Sequence, residues 1–421
     1  MNLGSTKTDQ QPAVSPATDA QLAKQFSMIA QEQHQLDEIK LKASMAQAAN
    51  QADVASQFVA QAQLLVTALN LRLDAFQKDL MVARQARPQD AVVQWLTGEL
   101  LLAVGGEPAV VIPYFNRAVS GGLKNPELSA SLAKVEFELN RFQASHDDAL
   151  SGLQQDRESH DGWEIYSRAS FAMGDFSEVL QRLDQTFPGA KPEWAQTIGK
   201  NARRLQSSWQ RELALRSAES DSGLPLVRFT IEHRRFANAT GSNETSGFKN
   251  TGQGEVILEL FEDQAPATVA SFIHLVESGF YSGTSFYWAE AGHFVAGGDP
   301  NTKSADPTDD GFGGPGYTIP DESRSPQARN HFRGTISMLP NRDRKFGSQF
   351  FVSLVPAPAL DGVATVFGRV IQGQEVLDRI TQGRTNRQVG QSGEIIPGDL
   401  LMRAEVIRKR PHNYTFTRLP Q

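Results

Sequence analysis

The spacing of apolar residues along the chain changes period near Gly223. Ahead of that point apolar side chains recur every three or four positions, as one face of a helix requires. Beyond it they alternate with polar ones, as a half-buried strand requires. From Ala20 to Pro88 the chain is dominated by Ala, Gln, Leu and Lys with no Gly or Pro, and Phe58, Ala62, Leu65 and Ala68 keep helical spacing. This predicts a helical segment over 21–91 that caps the next part of the chain; its Gln-rich early part also suits a solvated arm or a coiled-coil partner surface. Residues 1–20 are rich in Ser, Thr, Gln, Pro and Asp, too polar to bury a core, and predict a disordered tail.

Beyond Pro88 the chain repeats itself. Trp95 and Trp163 stand 68 residues apart, and Gly106, Asn140 and Gly174 stand 34 apart. Counted from those turns, Val111, Ser145 and Val179 share one position, Phe115, Ala149 and Leu183 another, and Ala118, Gly152 and Thr186 a third. Two helices with a Gly-type turn, repeated every 34 residues, resemble the tetratricopeptide repeat. Small residues would let the second helix approach the first, and large ones fill the gap between stacked units. Three units span roughly 92–190, with a fourth at 58–91 as an option. The repeat domain is placed at 92–222, closed by a last helix over Glu193–Ala218. Such repeats imply a concave groove for a peptide or protein partner; the alternative is a helical spacer. Arg203 and Arg204 read as a solvated face.

Past Gly223, Val227, Phe229 and Ile231 alternate with polar residues, and 237–253 reads as a polar loop. Val256, Leu258 and Leu260 form the next strand. Pro266 opens a helix whose apolar face holds Val269, Phe272, Ile273, Leu275 and Val276, stopped by Gly279. Strands are expected around 285–289, 294–297, 334–338, 349–354 and 365–370. A second helix runs from Gln374 to Gly383, and a strand at 400–407 returns beside the first. Many short strands with two helices predict a closed β-barrel covered at its ends, over 223–421. The whole is thus multidomain: an all-α repeat domain followed by a barrel.

The barrel carries specific motifs: EDQAPATVASFIHLVESGFYSGTSF, GGDP at 297–300, GFGGPGY at 311–317, RGTISM at 333–338, GSQFF at 347–351, and LDG then VFGRV between Leu360 and Val370. Over about 225–410 they resemble cyclophilin, the peptidyl-prolyl isomerase barrel. The resemblance implies a groove for Pro-containing polypeptide clients and no cofactor. It also implies an arginine that donates a hydrogen bond towards the prolyl nitrogen. Amide resonance sets a barrier of about 18–20 kcal/mol to rotation, and a site that binds the twisted amide best lowers it without covalent chemistry. By ungapped carry-over the arginine position is Trp288, two pocket positions are His293 and Phe294, and the first glutamine is Ala296. The backbone-contact position is Leu339 and the asparagine is Pro340, while Gln349, Phe351 and Leu360 are kept. Ala359 and Ala364 fill two further positions. An indole offers one N–H and no charge, so Trp288 does not replace a guanidinium. No residue is therefore assigned as catalytic, and the substrate-binding set is Trp288, His293, Phe294, Leu339, Gln349, Phe351 and Leu360. Three readings stay open. One is an isomerase with weak or rerouted catalysis through Arg342 or Arg344. Another is a pseudo-isomerase that binds Pro-containing segments with Trp288 as stacking surface. The third is a scaffold acting through the repeats alone.

Composition narrows the rest. A net charge of −7 over 421 residues, with 21% charged and 39% hydrophobic residues, argues against a nucleic-acid surface and for a globular protein. No apolar run approaches the roughly 18 residues of a spanning helix, and the first twenty residues lack a secretory pattern. The expectation is the cytoplasm by default; the absence of cysteine equally fits a periplasmic or secreted protein and removes thiolate chemistry. Eight histidines lack metal-ligand spacing, and Gly311–Gly316 lacks the Lys-Ser/Thr of a phosphate loop. Asp321 and Asp361 read as turn or cap residues. The tail RKRPHNYTFTRLPQ is expected either to fold back on the repeats or to hang free.

Overall fold

The structure is a computed structural model that describes residues 17–219, 223–237, 247–304, 306, 308–341, 345–380 and 398–420. Most of the expected tail over 1–20, and Arg342 and Arg344, lie outside the described residues. The chain divides into two compact units, 1–128 and 129–421.

In the first unit, α1 (Asp19–Ala48) and α2 (Ala52–Ala86) pack side by side. Thr18 starts α1 with a capping box: its N–H donates to Gln21 Oε1 at 2.8 Å, and Gln21 N–H donates back to Thr18 Oγ1 at 3.3 Å. The long helical run breaks at Asn50, in the left-handed region at φ 57. Sequence reading saw no interruption there because neither Gly nor Pro is present; Asn tolerates that backbone through its short polar side chain. Leu22, Leu36, Ile39 and Ala46 of α1 and Leu69, Phe76, Leu80 and Ala83 of α2 are buried. Residues 58–91 hold no helix pair of their own, since α2 runs unbroken to Ala86. Among the described residues one helix, α2, holds an 18-residue window of mean hydropathy 1.2 that would be long and apolar enough to cross a membrane by length and composition alone.

Helix pairs come next, at the expected phase: α3 (Ala91–Ala103) with α4 (Pro108–Ser120), α5 (Pro126–Glu138) with α6 (Phe142–Gln155), and α7 (His160–Met173) with α8 (Phe176–Thr186). Val111, Ser145 and Val179 are all buried, as are Phe115, Ala149 and Leu183. A Cβ on Gly98 would stand 2.4 Å from the Phe115 ring, so α4 lies too close to α3 for any other residue there. Between α5 and α6, Glu136 and Asp148 face each other. Burial, the hydrogen bond that Glu136 donates to Asp148 and the charge of Asp148 push the Glu136 carboxyl up to about 8. The folded state therefore holds a proton that the unfolded chain releases in the ordinary glutamate range. The stability this proton supplies is complete below that range and is lost as pH rises through about 8. Glu136→Gln is expected to raise the melting temperature at pH 8 and leave it unchanged at pH 4, measured by circular dichroism.

Helix α9 (Glu193–Glu219) leads into the barrel. Its strands are β1 (Leu226–Ala237), β2 (Gly247–Leu260), β3 (Thr284–Ser285), β4 (Trp288–Glu290), β5 (Phe294–Gly297), β6 (Thr335–Pro340), β7 (Phe346–Ser353), β8 (Val366–Gln372) and β9 (Leu400–Arg408). They form one antiparallel sheet in the order β3-β9-β1-β2-β8-β6-β7-β5-β4. Only Phe286 and Tyr287 separate its two edge strands in the chain, so the sheet curls round on itself. Helices α10 (Pro266–Glu277) and α11 (Gln374–Ile380) pack on it. Phe229, Phe272, Phe350 and Phe367 anchor the core. The β1–β2 hairpin reaches further than the polar sequence of 237–253 suggested: Arg234 pairs with Asn250 beyond a bulge at His233. Backbone pairing needs no apolar side chains once the register is set. The C-terminal tail lies on the barrel: Leu419 bridges Thr318, Phe416 packs on Tyr317, and His412 and Tyr414 bond Glu262.

Candidate functional site

Strand register builds the site. Trp288 of β4 pairs with Ala296 of β5, Ala296 with Phe351 of β7, and Phe351 with Ser337 of β6. Alternation along β5 and β7 sends Val295, Phe350 and Val352 into the barrel core. Ala296 and Phe351 then fall on the opposite face, with Phe294 and Gln349 two residues away on the same face. There Ala296, Phe351 and Ala364 form a second cluster, packed by Tyr287, Phe294, Leu339 and Leu360.

Its aromatic rings meet edge to face. Trp288 and Phe294 lie 4.8 Å apart at 78°, and Phe294 and Phe351 5.9 Å apart at 66°. Trp288 is 41% exposed, whereas Phe351 is only 2% exposed. Behind Phe351 the buried His331 ring lies parallel at 5.7 Å. His331 is held by Asp361, whose carboxylate accepts from the His331 backbone N–H at 2.9 Å and contacts its Nδ1 at 3.0 Å.

Gln349 is already engaged within the protein. The Tyr287 hydroxyl donates to its Oε1, and its Nε2 donates to the Gly313 carbonyl at 2.8 Å. Burial, and then the charge of Asp299, push the Tyr287 hydroxyl well above the usual phenol range, so it stays a donor at neutral pH. Asp299 also sets the Gly313 loop, accepting from the Gly311 and Gly313 N–H groups. A Cβ on Gly313 would stand 2.1 Å from the Asp299 carboxylate, so this turn requires glycine. The GGDP and GFGGPGY motifs are thus two halves of one loop anchor.

The sequence that builds this site is similar to that of known proteins. Residues 247–397 match the family model of the cyclophilin type peptidyl-prolyl cis-trans isomerase/CLD. A peptidyl-prolyl cis-trans isomerase of Helicobacter pylori is 41% identical over 136 residues, which cover 32% of this chain and 78% of that protein. The chain belongs to the cyclophilin family. The peptidyl-prolyl cis-trans isomerase B of Bacillus subtilis is 37% identical over 139 residues, 33% of this chain and 92% of that protein. An isomerase of Synechococcus elongatus is 39% identical over 125 residues, covering 30% and 79%.

Set against the sequence-derived groove of a cyclophilin, Phe294, Leu339, Phe351 and Leu360 come together, with Trp288 at the rim and Gln349 beside them. His293 stands apart: its side chain is 61% exposed, with Nε2 4.0 Å from Glu290. Tyr287 is the residue that sequence reading missed. It precedes Trp288, and simple alternation assigns the two to opposite faces. In the structure β4 begins only at Trp288, which frees Tyr287 to turn into the cluster. His331 was also passed over, since nothing in its spacing announces a ring stacked under Phe351.

Proposed function

We propose that the barrel is a cyclophilin-type module that binds Pro-containing polypeptide segments and has little or no isomerase turnover. The observation that carries this reading is the pairing of Trp288, at the arginine position, with a Gln349 already bonded to Tyr287 and Gly313. A twisted prolyl amide needs a donor aimed at its nitrogen, and an indole at the rim brings no guanidinium. Aromatic surface for a proline ring persists in Trp288, Phe294 and Phe351. The helical pairs, read as tetratricopeptide-type repeats from their 34-residue period, supply a second surface for a protein partner.

A protease-coupled isomerisation assay on the full chain with N-succinyl-Ala-Ala-Pro-Phe-p-nitroanilide is expected to give the uncatalysed rate. The same peptide is expected to change the Trp288 emission, isolated as the difference from a Trp288→Phe chain. Turnover well above background sinks the non-catalytic reading, and its loss in Arg342→Ala would assign the chemistry to the charged loop. No emission change with any Pro peptide counts against a working groove and leaves the repeats as the recognition surface.

A further inference from the structure

The β4–β5 hairpin carries Trp288 on one strand and Phe294 on the other, and its turn is bonded to a helix pair. Asn140, in the α5–α6 turn, is 2% exposed and points both ends of its amide at the barrel. Its Oδ1 accepts from the Gly292 N–H at 3.0 Å, and its Nδ2 donates to the Asp378 carbonyl in α11 at 3.1 Å. Gly292 is the hairpin turn itself, left-handed at φ 68, and a Cβ there would lie 3.1 Å from the Phe137 ring of α5. Neighbouring contacts hold the same junction. Arg333 binds the Asp378 carboxylate at 2.6 and 3.1 Å, donates to the Leu354 carbonyl at 2.8 Å and covers the Phe142 ring. Leu354 N–H in turn donates to the His293 carbonyl at 2.8 Å.

Residue identity at this turn is informative. Asn140 adopts φ 58, and one repeat later Gly174 adopts the same left-handed backbone at φ 91 with no side chain. Glycine satisfies the turn alone. Asparagine satisfies the turn and also supplies one donor and one acceptor, and it stands in the turn that meets the hairpin. A buried amide N–H such as that of Gly292 needs a partner, and Asn140 provides it.

We propose that Asn140 is a positioning residue for the peptide groove: it fixes the β4–β5 turn and so sets Trp288 and Phe294, making the helical region part of the binding site. The proposal rests on the reading of that groove as a peptide site, although two of its readouts need no peptide. A hairpin turn held at its tip transmits its setting along two short strands, because β4 has three residues and β5 four.

Asn140→Gly keeps the left-handed turn and removes both bonds; Asn140→Asp keeps the acceptor for Gly292. In the full chain, Asn140→Gly is expected to speed amide exchange at Gly292 at least tenfold while Phe350, in the core, keeps its protection. Iodide quenching of Trp288, taken as the difference from the matching Trp288→Phe chain, is expected to change as well. Affinity for N-succinyl-Ala-Ala-Pro-Phe-p-nitroanilide is expected to fall about fivefold, and Asn140→Asp to recover most of the Gly292 protection. Unchanged Gly292 exchange in a folded Asn140→Gly chain overturns the proposal, and so does faster exchange with unchanged Trp288 quenching. If the unsubstituted chain binds no Pro peptide, the reading of the groove fails, while the exchange and quenching results still decide the role of Asn140.

Discussion

Prolyl isomerisation is expected to rise about 10²-fold in kcat/KM above the unsubstituted chain when Trp288→Arg, Ala296→Gln and Tyr287→Ala are combined, with far less gained from the first two alone. The magnitude is that of restoring one preorganised donor to a site that stabilises a transition state. The third substitution is dictated by packing. Ala296 is fully buried in the cluster that Tyr287 packs against, so a glutamine there has no free volume while the Tyr287 ring stays. Overpacking of this kind costs about 1–3 kcal/mol, enough to push the new side chain out of place or distort β5. Removing the Tyr287 ring opens that volume and also releases Gln349 Oε1 from its hydroxyl. The freed glutamine can then hold the peptide flanking the proline. Comparing the three chains in one assay separates missing chemistry from a filled groove. A triple variant with a native circular-dichroism spectrum and background turnover would show that the groove does not admit a prolyl residue.

How legible each feature is in the sequence depends on the range of the interaction behind it. The fold of the barrel is readable because its signals are local. Alternation in Val256-Leu258-Leu260, the Pro266 start and Gly279 stop of α10, and the ordered motifs each act within a few residues. The positions that the cyclophilin resemblance assigns to the groove are readable for the same reason, since gapless segments carry Phe286 to Asp299 and Ser337 to Phe351. Long-range side-chain bonds leave no such trace. Tyr287 meets Gln349 across 62 positions, and Asn140 meets Gly292 across 152. From sequence Asn140 is only an odd member of a Gly-type turn, which describes its backbone and not its amide. The break at Asn50 escapes because a single left-handed asparagine inside Ala- and Gln-rich sequence adds little to any helical propensity sum. Compactness also divides the chain elsewhere than composition does. Trp209 of α9 packs against Phe332 at 4.7 Å and Val355 joins the cluster of Phe137 and Phe142, so α6–α9 and all but the first turn of α5 belong with the sheet.

The strongest of these helix-to-barrel links gives the largest expected loss of stability: Arg329→Ala should destabilise the 129–421 unit by about 3–5 kcal/mol. The Arg329 side chain is 1% exposed. Its guanidinium donates to Glu212 at 2.8 and 3.0 Å and to Glu219 at 2.7 Å, and lies 3.8 Å from the centre of the Phe261 ring. Burial pushes the Glu212 carboxyl up, but the hydrogen bonds and charges of Arg329 and Arg216 outweigh it and hold the group below its usual range. Such a depressed group adds stability that is present above the unfolded value and lost as pH falls through the folded one. Truncating Arg329 leaves Glu212 ionised and buried, with Arg216, 2.8 Å away, as its remaining cation among the described residues, and Glu219 loses its bond to the guanidinium. The penalty comes mainly from Glu212, whose buried charge keeps Arg216 but loses Arg329, which has two consequences. The loss should shrink as pH falls through the glutamate range, because protonation relieves the stranded charge and the unsubstituted chain forfeits its own ion pair. Replacing the group as a set, with Arg329→Met, Arg216→Met, Glu212→Leu and Glu219→Gln, should cost far less than Arg329→Ala alone, because the guanidiniums and the carboxylates that answer them are removed together. Urea denaturation of the full chain at pH 7 and pH 4 measures both. A loss below about 1 kcal/mol for Arg329→Ala, or one that does not diminish at pH 4, would mean that the packing of Trp209 on Phe332 holds this junction and the ion pairs are incidental.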